Sequence, residues 1–363
     1  MARRSVPMPT LGPKPPRRWL RVPLRLAFGG VVLAALLAAA GAVYETFAGR
    51  AATKAYPPPG RLVDVGGHKL HLFCQGESKP GEPTVVLEGG AFSASSAWSW
   101  IQPELAKRYR ACAYDRAGLA WSEPGTAPPD AEHVAKQLHT LLERAGVKGP
   151  YVLAGHSLGG LFARVFTARY PDEVTAVVFI DAGHPDQMER FPEEARQQAA
   201  RMEKAMDLMP TLARLGAIRI SGMMTSQAKG LPAQAAEASA ALLSSPAHLG
   251  AAVRERLSWP EIAAQTRAVG SLGDKPLLVI TAGKVEPVSL AEVWKALSLE
   301  LAALSTRSTY EVVEGANHMS LLTDAGHAQR VADAIIERID SALVPEPVPA
   351  APAIEGTAEG TAP

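Results

Sequence analysis

Residues 151–166 read YVLAGHSLGGLFARVF, and this stretch decides the fold. Tyr151–Ala154 is a short, nearly continuous apolar run, as expected of a parallel strand buried on both faces. Leu161–Phe166 begins a helical pattern. Between them lies Gly155-His156-Ser157-Leu158-Gly159, a G-x-S-x-G match. The bare pattern recurs by chance, but here strand, turn and helix follow in the order a nucleophile elbow requires. A sharp strand-to-helix turn crowds the serine backbone and leaves no room for a Cβ at Gly155 or Gly159. It pushes Ser157 out at the strand's C-terminal end, beside the first free N–H groups of the helix. The bland alternative is a glycine-rich turn whose serine caps a helix.

Outward from this point, extended and helical patterns alternate. RLVDV and KLHLFCQG, from Arg61 on, alternate apolar and polar residues like a hairpin with one wet face. TVVLEGG, YRACAYD, AVVFIDA, PLLVITAG and TYEVVEG read, like YVLAGHS, as parallel strands buried on both faces. AEHVAKQLHTLLERAG has helical spacing and ends at Gly146, a natural C-cap. LGGLFARVFTARYP, AEVWKALSLELAAL and HAQRVADAIIERIDSAL are further helices. The pattern predicts an α/β class, a mostly parallel sheet covered by helices on both faces.

At Ser157 the chain resembles the α/β-hydrolase fold family, over about residues 61–343 apart from a middle insertion. Glu88-Gly89-Gly90-Ala91 looks like the family's oxyanion loop, with Gly89-Gly90 where many members have His-Gly. Asp115 to Ser122 resembles its D-x-x-G-x-x-x-S turn. The resemblance implies an eight-stranded sheet and a helical cap insertion. It also implies an oxyanion hole from the N–H groups of Leu158 and Ala91, with Gly90 as neighbour. The loss of the His side chain removes a group that often braces this loop. A tetrahedral oxyanion needs donors at about 2.7–3.1 Å.

The expected chain order is serine, acid, histidine, and of 9 histidines few lie late enough. His318 follows the last strand pattern, on a loop at its C-terminal end, and is the expected base. His327 falls among polar residues of the next helix, and His156 is expected to point away from the serine. Two acids fit the order. Asp181 ends the strand AVVFIDA and opens DAGHPDQ, whereas Glu286 follows PLLVITAG in Gly283-Lys284-Val285-Glu286. The alternatives are a loop cap for Asp181 and a solvated first-turn acid for Glu286. Asp181 is favoured, because its short side chain on a strand end is better fixed, and similar family members share DAxHPDQ.

The two ends carry a different message. Arg3, Arg4, Lys14, Arg17, Arg18, Arg21 and Arg25 make residues 1–25 basic, with no acid. Residues 26–44 are uncharged and nearly long enough to cross a bilayer. The basic flank places the N-terminus in the cytoplasm and the main domain outside. A cleaved signal peptide is the rival, with a normally shorter apolar core. Residues 45–60 are expected to form a linker, and the Pro-, Ala- and Glu-rich tail 344–363 to be disordered.

The expected catalytic core is therefore 61–184 and 274–343, split by a helical cap at 185–273. The cap clusters Met202, Met206, Met209, Met223 and Met224, which either pack the cap or adapt to a hydrophobic substrate. Net charge is +1, with 37 basic and 36 acidic residues, which gives no footprint for nucleic acid. Cys74 and Cys112 are too few for a disulfide framework or thiolate metal site and read as small core residues; a single bridge requires a domain outside the cytoplasm. No motif implies a metal or organic cofactor. The expectation is ester hydrolysis on a small, hydrophobic substrate. The same residues would serve an amidase, peptidase or thioesterase, and a non-catalytic scaffold is the rival from another class.

Overall fold

The computed structural model describes residues 18–343; the basic residues before 18 and the tail 344–363 lie outside them. Strands β1 (Arg61–Asp64), β2 (Lys69–Gln75), β3 (Thr84–Glu88), β4 (Arg110–Tyr114), β5 (Tyr151–His156), β6 (Val174–Ile180), β7 (Leu277–Ala282) and β8 (Ser308–Val313) form one sheet. Their order is β1-β2-β4-β3-β5-β6-β7-β8. The pairs β1–β2 and β2–β4 are antiparallel and all others parallel. This is the mostly parallel eight-stranded sheet, flanked by helices, that the alternating patterns predict.

Period-two alternation divides the central strands between two cores. Val86, Leu153 and Val177 pack with helices Ala131–Arg144 and Leu158–Arg169 on one face. Val85, Val152 and Val178 pack with Ile101–Ala106 and Ala325–Leu343 on the other. Phe162 and Phe166 are fully buried, and truncating either to alanine would cost about 3–5 kcal/mol. The helix Ala131–Arg144 starts where the Asp130 side chain accepts the His133 N–H at 2.9 Å; that cap contributes about 1 kcal/mol. Every parallel strand ends at the same edge of the sheet, so the loops after β3, β5, β6 and β8 converge there.

Three expectations need correction. TYEVVEG is not buried on both faces: β8 pairs only with β7 and is largely exposed, as an edge strand. The N-terminal helix does not end near Tyr44 but runs as Arg18–Ala55, so only residues 56–60 of the expected linker lie outside it. Its extra turns pack on the insertion, and Pro57 to Pro59 stop it. Cys74 and Cys112 are not free core cysteines but a disulfide. They are direct partners across β2 and β4, a relation that spacing in the sequence does not reveal. Between β6 and β7 the chain forms only helices, from Gln187–Arg190 to Trp259–Ala268.

Candidate active site

β5 delivers Ser157 at φ 54° and ψ −123°, left-handed backbone that a serine tolerates only at a cost of about 1–3 kcal/mol. The tightness of the turn is measurable at its glycines. A Cβ on Gly155 would lie 2.5 Å from Gly159 O, and one on Gly159 would lie 2.3 Å from Glu88 O. Either contact is with backbone, so larger residues would force strand and helix apart. Behind the turn, Ser157 N–H donates to Ile180 O at 3.2 Å, and Ser157 O accepts from Gly160 and Gly183. Leu158 opens the helix, so its N–H is one of the four that have no partner within the helix.

β6 delivers Asp181, also at positive φ, 42°. Its Oδ2 accepts from His318 Nδ1 at 2.6 Å, while Oδ1 accepts from Trp294 Nε1 at 2.8 Å and Ala282 N at 3.2 Å. Burial alone would raise the Asp181 carboxyl, but the hydrogen bonds from His318, Trp294 and Ala282 outweigh it and hold the pKa below the ordinary carboxylate value. Asp181 is 3% exposed and His318 40%, so the carboxylate is sealed while the imidazole faces the opening. Glu286 sits at the exposed rim of the same opening. It is 65% exposed and pairs with Lys284 at 2.7 Å.

Ser157, Asp181 and His318 line one cavity of about 660 Å³. Its wall is largely apolar, with Met188, Phe191, Met202, Met206 and Trp259 from the insertion facing Leu290 and Trp294. A smaller hollow of about 60 Å³, lined by Gly90, Ala97, Leu231 and Leu243, also reaches Ser157 and His318. Phe92 is left-handed as well, φ 57°. The strained residues Phe92, Ser157 and Asp181 thus share a cavity wall, and strain of this kind clusters where chemistry is done.

The loop after β3 is braced from below. Buried Arg116 donates from Nη1 to Gly89 O at 2.6 Å and from Nη2 to Gly90 O at 2.8 Å. The same guanidinium pairs with Glu88 at 2.7 Å and with Glu255, from the insertion, at 2.6 Å. Burial disfavours its charge, but Glu255 and Glu88 outweigh that and raise its pKa. The carbonyls of Gly89 and Gly90 are thus fixed to the guanidinium. A Cβ on Gly90 would lie 3.0 Å from Ser157 Cβ and 3.1 Å from His156 Nδ1, so a side chain there would crowd Ser157.

The α/β-hydrolase fold family matches residues 83–325 of this chain. The chain belongs to that family. Among curated proteins it is 28% identical over 307 residues to an uncharacterized protein of Schizosaccharomyces pombe, covering 76% of this chain and 55% of that relative. It is 31% identical over 134 residues to an uncharacterized vacuolar membrane protein of Saccharomyces cerevisiae, covering 33% of this chain and 21% of the relative. The chain therefore spans about half, or less, of these relatives' length. Among solved structures it resembles an enol-lactonase from Burkholderia xenovorans, with TM-score 0.57, 18% identity, and 77% of this chain against 100% of that one. It also resembles a thermophilic esterase from Thermogutta terrifontis, with TM-score 0.56, 20% identity, and 78% against 99%. At such identities the structural likeness speaks to the fold alone.

Within this hydrolase fold the structure brings Ser157, Asp181, His318, Leu158 and Ala91 to one opening and leaves Glu286 on its exposed rim. His156 does not point away. Its Nε2–H donates to His318 O at 3.0 Å and the two rings lie 4.5 Å apart. Burial and the facing His318 lower its pKa to about 3, so it is a neutral brace for the histidine loop. Sequence reasoning missed Trp294 and Arg116. Arg116 had a signal, directly following Asp115 of the recognised turn, but its distance from Gly90 in the chain hid the contact. Trp294 gave none beyond an aromatic residue in a helical run. Among the described residues no cluster of side chains suits a metal ion.

Proposed function

We propose that the chain is a serine hydrolase that cleaves a lipophilic carboxylic ester through an acyl-enzyme. The observation that carries this reading is the sealed Asp181 bonded to His318, opening onto the cavity that holds Ser157 on its strained elbow. Asp181 fixes the proton on His318 Nδ1, which leaves Nε2 free to accept the Ser157 hydroxyl proton. The Ser157 oxygen then attacks the ester carbonyl, and the N–H groups of Leu158 and Ala91 receive the oxyanion. His318 returns its proton to the departing alkoxide as the C–O bond breaks. Water, deprotonated by His318, hydrolyses the acyl-serine. The unequal cavities beside Ser157 favour an ester with one bulky apolar group and one small group.

The same proposal holds the enzyme at a membrane, N-terminus in the cytoplasm and catalytic domain outside. Residues Arg25–Ala55 include a helix long and apolar enough to cross, its most apolar window unburied. A disulfide between β2 and β4 suits an oxidising compartment. The test is hydrolysis of p-nitrophenyl esters of increasing acyl length by the full chain and by Ser157→Ala. Activity abolished in the variant, with an optimum at medium or long acyl chains, is the expected result. Activity surviving in Ser157→Ala overturns the nucleophile. A folded chain active only on amides or thioesters overturns the ester.

A further inference from the structure

The N-terminal helix does more than lead into the domain: it is packed onto the insertion. Gly41 approaches so closely that a Cβ there would lie 2.1 Å from Leu215 O. Gly216, at φ 72°, faces Gly41 O and the Tyr44 ring in return. Glu45, 6% exposed, accepts Arg219 Nε at 2.9 Å and Nη2 at 2.8 Å. Arg219 also donates to Ala241 O at 2.8 Å, which ties the contact into the insertion. Gly41 belongs to the apolar run that ends at Tyr44, about 4.5 Å inside that end at 1.5 Å per residue. A bilayer crossed by this helix therefore reaches the level of Leu215 and Gly216. The first acid after the apolar run, Glu45, is already neutralised by Arg219 at that level.

The insertion around this contact is built for the same boundary. It exposes Leu208, Leu212, Ile220 and Met223 by 61%, 39%, 67% and 53%. Between Asp207 and Glu237 the chain has no acid but carries Arg214 and Lys229 besides the Arg219 already paired with Glu45. Apolar side chains with interspersed bases suit the headgroup and upper acyl region of an anionic leaflet. The helix Glu193–Met206, which supplies Met202 and Met206 to the cavity over Ser157, ends directly before Leu208.

We propose that residues 208–223 are a second membrane-contact surface, inserted into the leaflet beside the N-terminal helix, through which the site draws a bilayer-resident lipid ester. This rests on the anchor and esterase readings above, and fixes their substrate class as a lipid taken from the membrane. The test uses the full chain in vesicles of phosphatidylcholine with a minority of phosphatidylglycerol. With Cys74 and Cys112 bridged, Leu212→Cys or Ile220→Cys gives one free thiol for a fluorescent label. Labels at 212 and 220 should be quenched by brominated acyl chains to within about twofold of a label at Leu37→Cys in the span, while one at Glu337→Cys is quenched only by aqueous iodide. In Leu212→Glu/Ile220→Glu, hydrolysis of a vesicle-borne long-chain ester should fall about tenfold or more as two apolar side chains inserted into the leaflet are lost. Hydrolysis of a water-soluble short ester should be unchanged.

Iodide quenching without lipid quenching at 212 and 220 overturns the surface. So does shielding from both quenchers with crosslinking between chains, which assigns it to a second copy. Lipid quenching in a chain that hydrolyses no ester upholds the surface and removes the catalytic reading. Hydrolysis without lipid quenching removes the surface and leaves catalysis standing. A label at 37 untouched by brominated lipid removes the anchor, and the surface with it.

Discussion

Replacing Asp181 by asparagine should lower kcat/KM for an ester by about 10³–10⁴ while the protein stays folded. The choice of asparagine follows from the backbone. Residue 181 sits at φ 42°, where asparagine is among the few tolerated residues and alanine would add strain. In the proposed mechanism the magnitude follows from the charge that develops on His318 as it takes the serine proton. Carboxylate and imidazolium about 4 Å apart, at an effective dielectric of about 20, interact by about 4 kcal/mol. At about 1.4 kcal/mol per decade that is close to 10³ in rate. An amide facing Nδ1 also permits the wrong imidazole tautomer, which takes the loss toward about 10⁴. The assay is steady-state hydrolysis of p-nitrophenyl butyrate, with circular dichroism as the check on folding. Glu286→Gln is the control, since Glu286 is exposed and paired with Lys284; it should stay within about threefold, as exposed pairs contribute little. A folded Asp181→Asn enzyme within tenfold of the parent, or a dead Glu286→Gln enzyme, refutes the reasoning.

Three further outcomes follow from the same geometry. Trp294→Phe removes one of the donors that lower the Asp181 pKa; kcat should fall about tenfold, the scale of one charge-assisted hydrogen bond, with KM little changed. Glu255→Gln takes one charge from the buried Arg116 network and should lower unfolding free energy by about 1–3 kcal/mol, read by denaturant melts. Its kcat should fall without change in KM if Arg116 positions the oxyanion loop. His248, buried with Nδ1 accepting the Ala120 N–H at 3.1 Å, has its pKa lowered to about 4 by burial. The unfolded chain binds that proton first, so stability is full above about pH 6.5 and falls as pH drops toward 4, by up to about 1.4 kcal/mol per pH unit. His248→Gln should flatten this limb, seen as a smaller spread of denaturation midpoints between pH 6.5 and 5.

What could be read from the sequence was local. The run before Ser157, the glycines at 155 and 159 and the helix after them fix an elbow by sterics that act within a few residues. The strands were legible because double burial demands continuous apolar runs; β8 misled because TYEVVEG has the same look at a sheet edge. Contacts across the fold were not legible. That Cys74 faces Cys112, that Arg116 holds Gly89 and Gly90, and that Trp294 reaches Asp181 depend on register and crossover geometry. The choice between Asp181 and Glu286 was open for the same reason, since both lie at strand ends on the correct edge. The helix Arg18–Ala55 continues past its apolar run, and Glu45, the first residue beyond it, pairs with Arg219 of the insertion, a partner the local pattern does not reveal.

The most direct measurement is labelling of the full-length protein with a fluorophosphonate probe, followed by intact mass and peptide mapping. A single adduct on Ser157, absent in Ser157→Ala and slowed in Asp181→Asn, is the predicted result. A folded protein that takes no label, or takes it on another residue, contradicts the assignment of Ser157 as an activated nucleophile.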